Sequence, residues 1–178
     1  MLPFLIPFIA ATGRAASPTE SEVKAAFLYK FTAYTDWPTQ SFSRAEAPIV
    51  MGVFADERFA RTLVSVVGTN RVRGRTLVVR KLQAADETRG CHLIFVAAAE
   101  NARLSQVLAT LKSQPVLVVG EGDRFCRDGG MIALRLASGK VRFEVDAGRI
   151  LSAGLKINSQ LIQLSVPPGK GVDPPPAR

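Results

Sequence analysis

At 178 residues, with 47% hydrophobic and 21% charged side chains, the chain has the make-up of one globular domain that buries its core without disulfide staples. The net charge of +8 is high and favours an anionic partner or surface, but it carries no information about fold.

The first sixteen residues read as an export leader. Leu2 to Ala11 form an apolar run, followed by small residues and a cleavage site after Ala15 with Gly13 two positions ahead. No positive residue precedes the run, which holds two prolines and is too short to span a bilayer. Residues 17–165 read as a single α/β domain, and 166–178, rich in proline and glycine, as a disordered tail.

The stretch SPTESEVKAAFLYKFTAYTDWP predicts the first helix. Ser17 and Glu20 supply a capping box with Pro18 at the first helical position, and Pro38 stops the helix just after Trp37. Val23, Ala26, Phe27, Phe31 and Tyr34 form one apolar stripe. Lys30 falls within it, either snorkelling past its neighbours or anchoring a buried carboxylate or a partner. PIVMGVF then reads as a strand, and DERFARTLVSVVG as a helix capped by Asp56 with Phe59, Leu63, Val66 and Val67 facing inward. RTLVVRKL and CHLIFVA are the second and third strands, ENARLSQVLATLKSQ the next helix and PVLVVGE the fourth strand. Short apolar strands between amphipathic helices predict a largely parallel sheet covered by helices on both faces, followed by an antiparallel hairpin and a closing helix. Cys91 and Cys126 would lie at opposite ends of such a sheet, too far apart for the roughly 7 Å Cα reach of a disulfide, and are expected as free thiols.

GMIALRLASGKVRFEV is the clearest structural signal. A two-residue turn at Ser138–Gly139 pairs Leu136 with Val141, Leu134 with Phe143 and Ile132 with Val145. The opposite face places Arg135 across from Arg142 and Ala133 across from Glu144, with Glu144 diagonal to Arg135 and able to relieve the two arginines. That face reads as solvated charge or as a charged docking surface. Gly129 and Gly130 serve to turn the chain into the hairpin.

Catalytic, metal-ligating and cofactor-binding sets do not assemble from the sequence. His92 sits inside an apolar strand as a packed residue, with no nucleophile beside it and no ligand set for zinc. GEGDRF lacks the third glycine of a dinucleotide loop, and the spacing of Asp123 and Asp128 fits no EF-hand. Cys126, between Arg124 and Arg127, carries the one reactive-residue reading, a thiol of lowered pKa. In NRVRGRTLVVRKL, Arg71, Arg73 and Arg75 alternate; an extended segment would point all three to one side, as a polyanion stripe or a charged edge strand. The stripe lacks interleaved aromatics, which argues against nucleic acid.

VKAAFLYKFTAYTDWP, CHLIFV, PVLVVGEGDRFCRDGGMIALRLASGKVRFEVD and RILSAGLKINSQL, in this order, resemble the YfiR family of small periplasmic regulators over about Glu22 to Leu164. The resemblance implies a periplasmic, dimer-forming binding protein without enzymatic activity. Its expected partner is the periplasmic domain of an inner-membrane diguanylate cyclase, which it represses, and an OmpA-type outer-membrane lipoprotein sequesters it. It also implies a partner surface including Glu144 and Ile150, to which the hairpin reading adds Arg142 and Arg135. Substituting Glu144 or Ile150 is expected to abolish repression and leave the fold intact. Redox-sensitive cysteines are a further family trait, and Cys91 and Cys126 are the positions concerned. The residue seven beyond Cys126 is Ala133 and no cysteine precedes Cys91, so both family bridges lack a partner here. The competing reading from the residues alone is an envelope module that binds a small ligand or anion through the arginine stripe and the Asp123–Gly130 loop.

Overall fold

The computed structural model describes residues 17–112 and 114–166, so the leader over 1–16 and the tail from 167 onward lie outside the described residues. Helix α1 (Glu20–Ala33) is capped by Thr19, whose hydroxyl accepts from the Glu22 N–H while the Glu22 carboxylate takes the Thr19 N–H. The capping box is therefore T-x-x-E, two residues later than the S-x-x-E expected at Ser17, and Pro18 precedes the cap. The helix also ends earlier than Pro38 would impose. The Thr32 and Thr35 hydroxyls donate to the Leu28 and Phe31 carbonyls, and Thr35–Asp36 leave the helix as β1. Its fully buried residues are Ala25, Leu28, Phe31 and Thr32, so the packed face is centred beside the expected stripe, whose Phe27 and Tyr34 pack at its margin. Lys30 is exposed.

The chain continues through β2 (Ile49–Phe54), α2 (Glu57–Val67), β3 (Arg71–Val72), β4 (Arg75–Lys81), β5 (Leu93–Val96), α3 (Leu104–Leu111) and β6 (Leu117–Glu121). It finishes with β7 (Ile132–Ala137), β8 (Lys140–Val145), α4 (Ala147–Ser152), β9 (Lys156–Ile157) and α5 (Ser159–Leu164). Seven strands form one sheet in the order β3-β4-β2-β5-β6-β7-β8, parallel from β4 to β7 and antiparallel at each end. The β7–β8 register pairs Ile132 with Val145, Leu134 with Phe143, Arg135 with Arg142 and Leu136 with Val141 across a Ser138–Gly139 turn of positive φ at both residues. Separately, β1 pairs with β9 and ties the end of α1 to the segment after α4. Val166, expected as the first residue of the tail, bridges to Glu144 beside β8.

Alternation along the strands divides the core in two. Met51, Val53, Leu93, Phe95, Val119, Ile132, Leu134 and Phe143 meet α1 and α2 on one face. Ile94, Val96, Val118 and Ala133 meet α3, Phe125 and Cys126 on the other. Over β6 and β7 the second face is closed by the turn-rich segment 122–130. Its anchor is Phe125, 2% exposed, whose ring lies against Gly120 of β6 and Gly130 at the entrance to β7, where a Cβ on either glycine would overlap it. Gly120 and Gly130, the first and last glycines of GEGDRFCRDGG, thus serve a steric purpose: they make the slot that seats one aromatic ring.

Gly120→Ala is expected to cost about 1–3 kcal/mol by overpacking, read from urea unfolding midpoints. In a Phe125→Ala background the same substitution should cost under about 0.5 kcal/mol, because the clashing ring is gone.

Candidate functional site

The charged face of the hairpin is buried at Ala133, Arg135 and Glu144 and solvated at its tip, at Lys140 and Arg142. Segment 122–130 lies over the buried part, and Glu144 is 3% and Arg135 7% exposed. Glu144 Oε2 accepts from Arg135 Nη2, the diagonal pairing that the register required. Arg135 Nη2 also donates to the Asp123 carbonyl at 3.0 Å, and its Nε stands 3.6 Å from the Asp123 carboxylate without a hydrogen bond. Ile150 is 1% exposed, in the core beneath α4. Among the four residues expected to meet a partner, Arg142 alone presents its side chain to solvent. Period-two spacing assigns residues to a face, but only the packing of a distant segment decides whether that face is covered.

Cys126 is buried against Ala133 beneath the same segment. Burial first, then the Glu144 and Asp146 carboxylates, push its thiol up to about 12, against a smaller opposing effect of Arg135. The lowered pKa expected from Arg124 and Arg127 is therefore reversed. Arg124 lies 3.6 Å from Asp128, and Arg127 donates to the Asp123 carbonyl at 3.3 Å, so both are engaged within the segment. Cys91 sits ahead of β5, its thiol raised by burial despite a 3.1 Å hydrogen bond from Arg80. Both cysteines are free, as their expected separation requires.

His92 is a packed residue held in one tautomer. Nδ1 accepts from the Val50 N–H at 3.1 Å, so Nε2 carries the proton and donates to the Ser41 carbonyl at 3.1 Å. Burial, reinforced by Arg75, depresses its pKa. The ring stacks on Phe42 at 4.5 Å, and the Arg75 guanidinium covers the far side of Phe42 at 3.7 Å.

The arginine stripe does not form. Arg73 and Gly74 are a tight turn of positive φ that reverses the chain between β3 and β4. Arg71 then donates to the Gly74 carbonyl, Arg73 pairs with Asp36, and Arg75 donates to the Ala47 carbonyl at 2.7 Å. Each guanidinium holds a loop of this chain in place.

One feature was not singled out from the sequence. The sheet order reverses at β2 and β5, the position outside the strand carboxyl ends where open α/β sheets bind ligands. A cavity of about 400 Å³ opens there beside Ala55, Asp56, Ala97, Lys24 and Glu121. Lys24, Glu20, Glu121 and Asp56 of its lining are already engaged within the chain. Lys24 bonds Glu121 at 2.9 Å and Glu20 at 2.5 Å, Glu121 accepts from the Ala98 N–H at 3.1 Å, and Asp56 caps α2 through the Phe59 N–H at 2.7 Å. Burial alone would depress Lys24, but the two carboxylates outweigh it and raise its pKa. The lysine that anchors carboxylates is therefore Lys24 and not Lys30. Among the described residues no cluster of His, Cys, Asp and Glu is placed to hold a metal, and no helix is long and apolar enough to cross a membrane.

Residues 21–166 match the family model described as YfiR/HmsC-like. The chain belongs to the YfiR/HmsC-like family. The match spans the domain from α1 through Val166 and takes in the hairpin with its buried ion pair. A crystal structure of a conserved domain protein from Vibrio cholerae superposes with a TM-score of 0.57 at 9% identity, covering 83% of this chain and 60% of that one. At that identity the likeness concerns the fold alone, and this chain spans less than two thirds of that one.

Glu144→Gln should cost about 3–5 kcal/mol in urea unfolding, because it removes the buried counter-charge of Arg135 and leaves only the exposed Asp123 carboxylate, 3.6 Å from its Nε. The joint replacement Arg135→Met with Glu144→Leu should recover most of that loss. Iodoacetamide at neutral pH should leave Cys126 unmodified in the folded protein and alkylate it only after denaturation, as mass spectrometry of the peptide would record.

Proposed function

We propose that this chain is a periplasmic regulator that keeps a membrane-bound diguanylate cyclase inactive by binding the cyclase's periplasmic domain, and that an OmpA-type outer-membrane lipoprotein withdraws it. The observation that carries this reading is the YfiR/HmsC-like match over 21–166, which covers nearly every element of the domain. The self-satisfied polar groups at the switch point and the engaged arginines weigh against the small-ligand or anion alternative.

Repression works by differential affinity. A protein that binds the inactive state of the cyclase better than the active one shifts the population, and moving it from 1:99 to 99:1 takes roughly 5.5 kcal/mol of preference. Glu144 and Ile150 support such an interface from behind. Glu144 fixes β8 against β7, and Ile150 seats α4, whose first turn is capped by Asp146 through the Arg149 N–H at 2.9 Å. The groups that reach solvent beside them are Arg142, Arg149 and Leu151, the last 70% exposed.

Deleting the gene should raise cellular cyclic-di-GMP, and expression of the wild-type chain should lower it again. Arg142→Glu with Leu151→Asp should fail to restore repression while the melting temperature stays within a few degrees, since both side chains are exposed. Cyclic-di-GMP that does not change on deletion would sink the proposal.

A further inference from the structure

The outer side of β8 is an open strand edge. With a two-residue turn at Ser138–Gly139, the pairs Ala137–Lys140, Arg135–Arg142 and Ala133–Glu144 exchange the hydrogen bonds of the hairpin. The peptide groups of Val141, Phe143 and Val145 therefore point away from β7. This edge already accepts one strand residue: the Val166 N–H donates to the Phe143 carbonyl at 2.8 Å, and Val166 runs parallel to Glu144. Pro167 and Pro168 follow and have no N–H to continue the ladder. The Val141 N–H and carbonyl and the Phe143 N–H have no hydrogen-bond partner among the described residues.

The two faces beside this edge differ in chemistry. On one, the apolar row of Ile132, Leu134 and Phe143 is covered by Phe27 and Phe31 of α1, with ring centroids 5.4 and 5.2 Å from Phe143. The row runs out from under α1 at Leu136, 59% exposed, across from half-buried Val141. On the other face Lys140 and Arg142 are exposed, and no carboxylate of the described residues lies within ion-pair distance of either. A strand laid along β8 would set alternate side chains beside the apolar row and the rest beside the two cations.

We infer that the edge from Lys140 to Phe143 takes an extended segment of a partner protein as an added strand, its acidic residues alternating with apolar ones. Main-chain hydrogen bonds to Val141 and Phe143 supply affinity, and the Leu136–Val141 step and the Lys140–Arg142 pair supply selectivity. The positive net charge speeds encounter with such a segment. The inference rests on the partner-binding reading above and gives it a binding mode.

The test uses fluorescence anisotropy with a labelled six-residue peptide of alternating valine and glutamate, and a control peptide with lysine in place of glutamate. The wild-type chain should bind the glutamate peptide and not the control. Val141→Pro removes an outward N–H that the hairpin does not use, so it should weaken binding at least tenfold at an unchanged melting temperature. Lys140→Glu with Arg142→Glu should reverse the peptide preference. Absence of binding by the wild type, or equal binding by Val141→Pro, overturns the inference. So does a wild-type dimer in sedimentation that Val141→Pro converts to monomer, because the edge would then belong to a second copy. A cyclase periplasmic domain that binds wild type and Val141→Pro equally refutes strand addition and leaves the regulatory reading standing. A domain that binds neither, while the peptide binds, does the reverse.

Discussion

A guanidinium and a carboxylate enclosed between a sheet and a nine-residue segment set the conditions for much of this molecule. Arg135 and Glu144 are expensive to bury apart and tolerable only when paired and hydrogen-bonded. Their pairing requires one register of β7 against β8, since a one-residue slip of either strand would leave the two on opposite faces of the sheet. It also requires segment 122–130 to stay closed, because the Asp123 carbonyl completes the environment of Arg135. Closure depends in turn on Phe125 in its slot between Gly120 and Gly130. Register, segment and aromatic anchor thus stand or fall together. Such pairs are attested elsewhere as devices that fix register at some cost in stability, and the geometry here is of that kind.

The parts of this arrangement that are local in sequence were legible from it. Alternation gave the hairpin register, Asp56 the start of α2, and the separation of Cys91 from Cys126 their free state. What depends on distant packing was not. Nothing in ALRLASGKVRFEV announces that a segment beginning eleven residues earlier folds over the inner part of its charged face, so Arg135 and Glu144 read as solvated. The direction of the Cys126 shift failed for the same reason: adjacent arginines suggest a lowered pKa, while burial and the cross-strand carboxylates decide it. The capping box moved because SPTESE holds two overlapping versions of the same motif. The turn at Arg73–Gly74 had a visible signal, a glycine between two β-type runs, hidden by the regular spacing of the arginines around it.

Burial of Glu144 and Ile150 changes what a loss of function at those positions means. Replacing either disturbs the packing of β8 or of α4 directly, before any effect on contact with the proposed partner. Glu144 lies two residues ahead of Asp146, the cap of α4, and Ile150 is the buried residue of that helix. A residue of this kind positions the groups in front of it, so its substitution is informative only alongside a measurement of folding. Exposed neighbours such as Arg142 and Leu151 report on contact more directly.

The two ends of the sheet deal with their open edges in different ways. At one end β3 is two residues long, and the arginines around it are bonded to carbonyls or carboxylates of the same chain. That edge is short, charged and internally tied, the usual protection against unwanted pairing. At the other end β8 is six residues long, Val166 covers part of it, and Lys140 and Arg142 remain without partners among the described residues. Lysine and arginine on an open edge repel a second basic strand, and they do not repel an acidic one. The same charges that guard β8 against copies of itself would leave it open to the acidic strand proposed above.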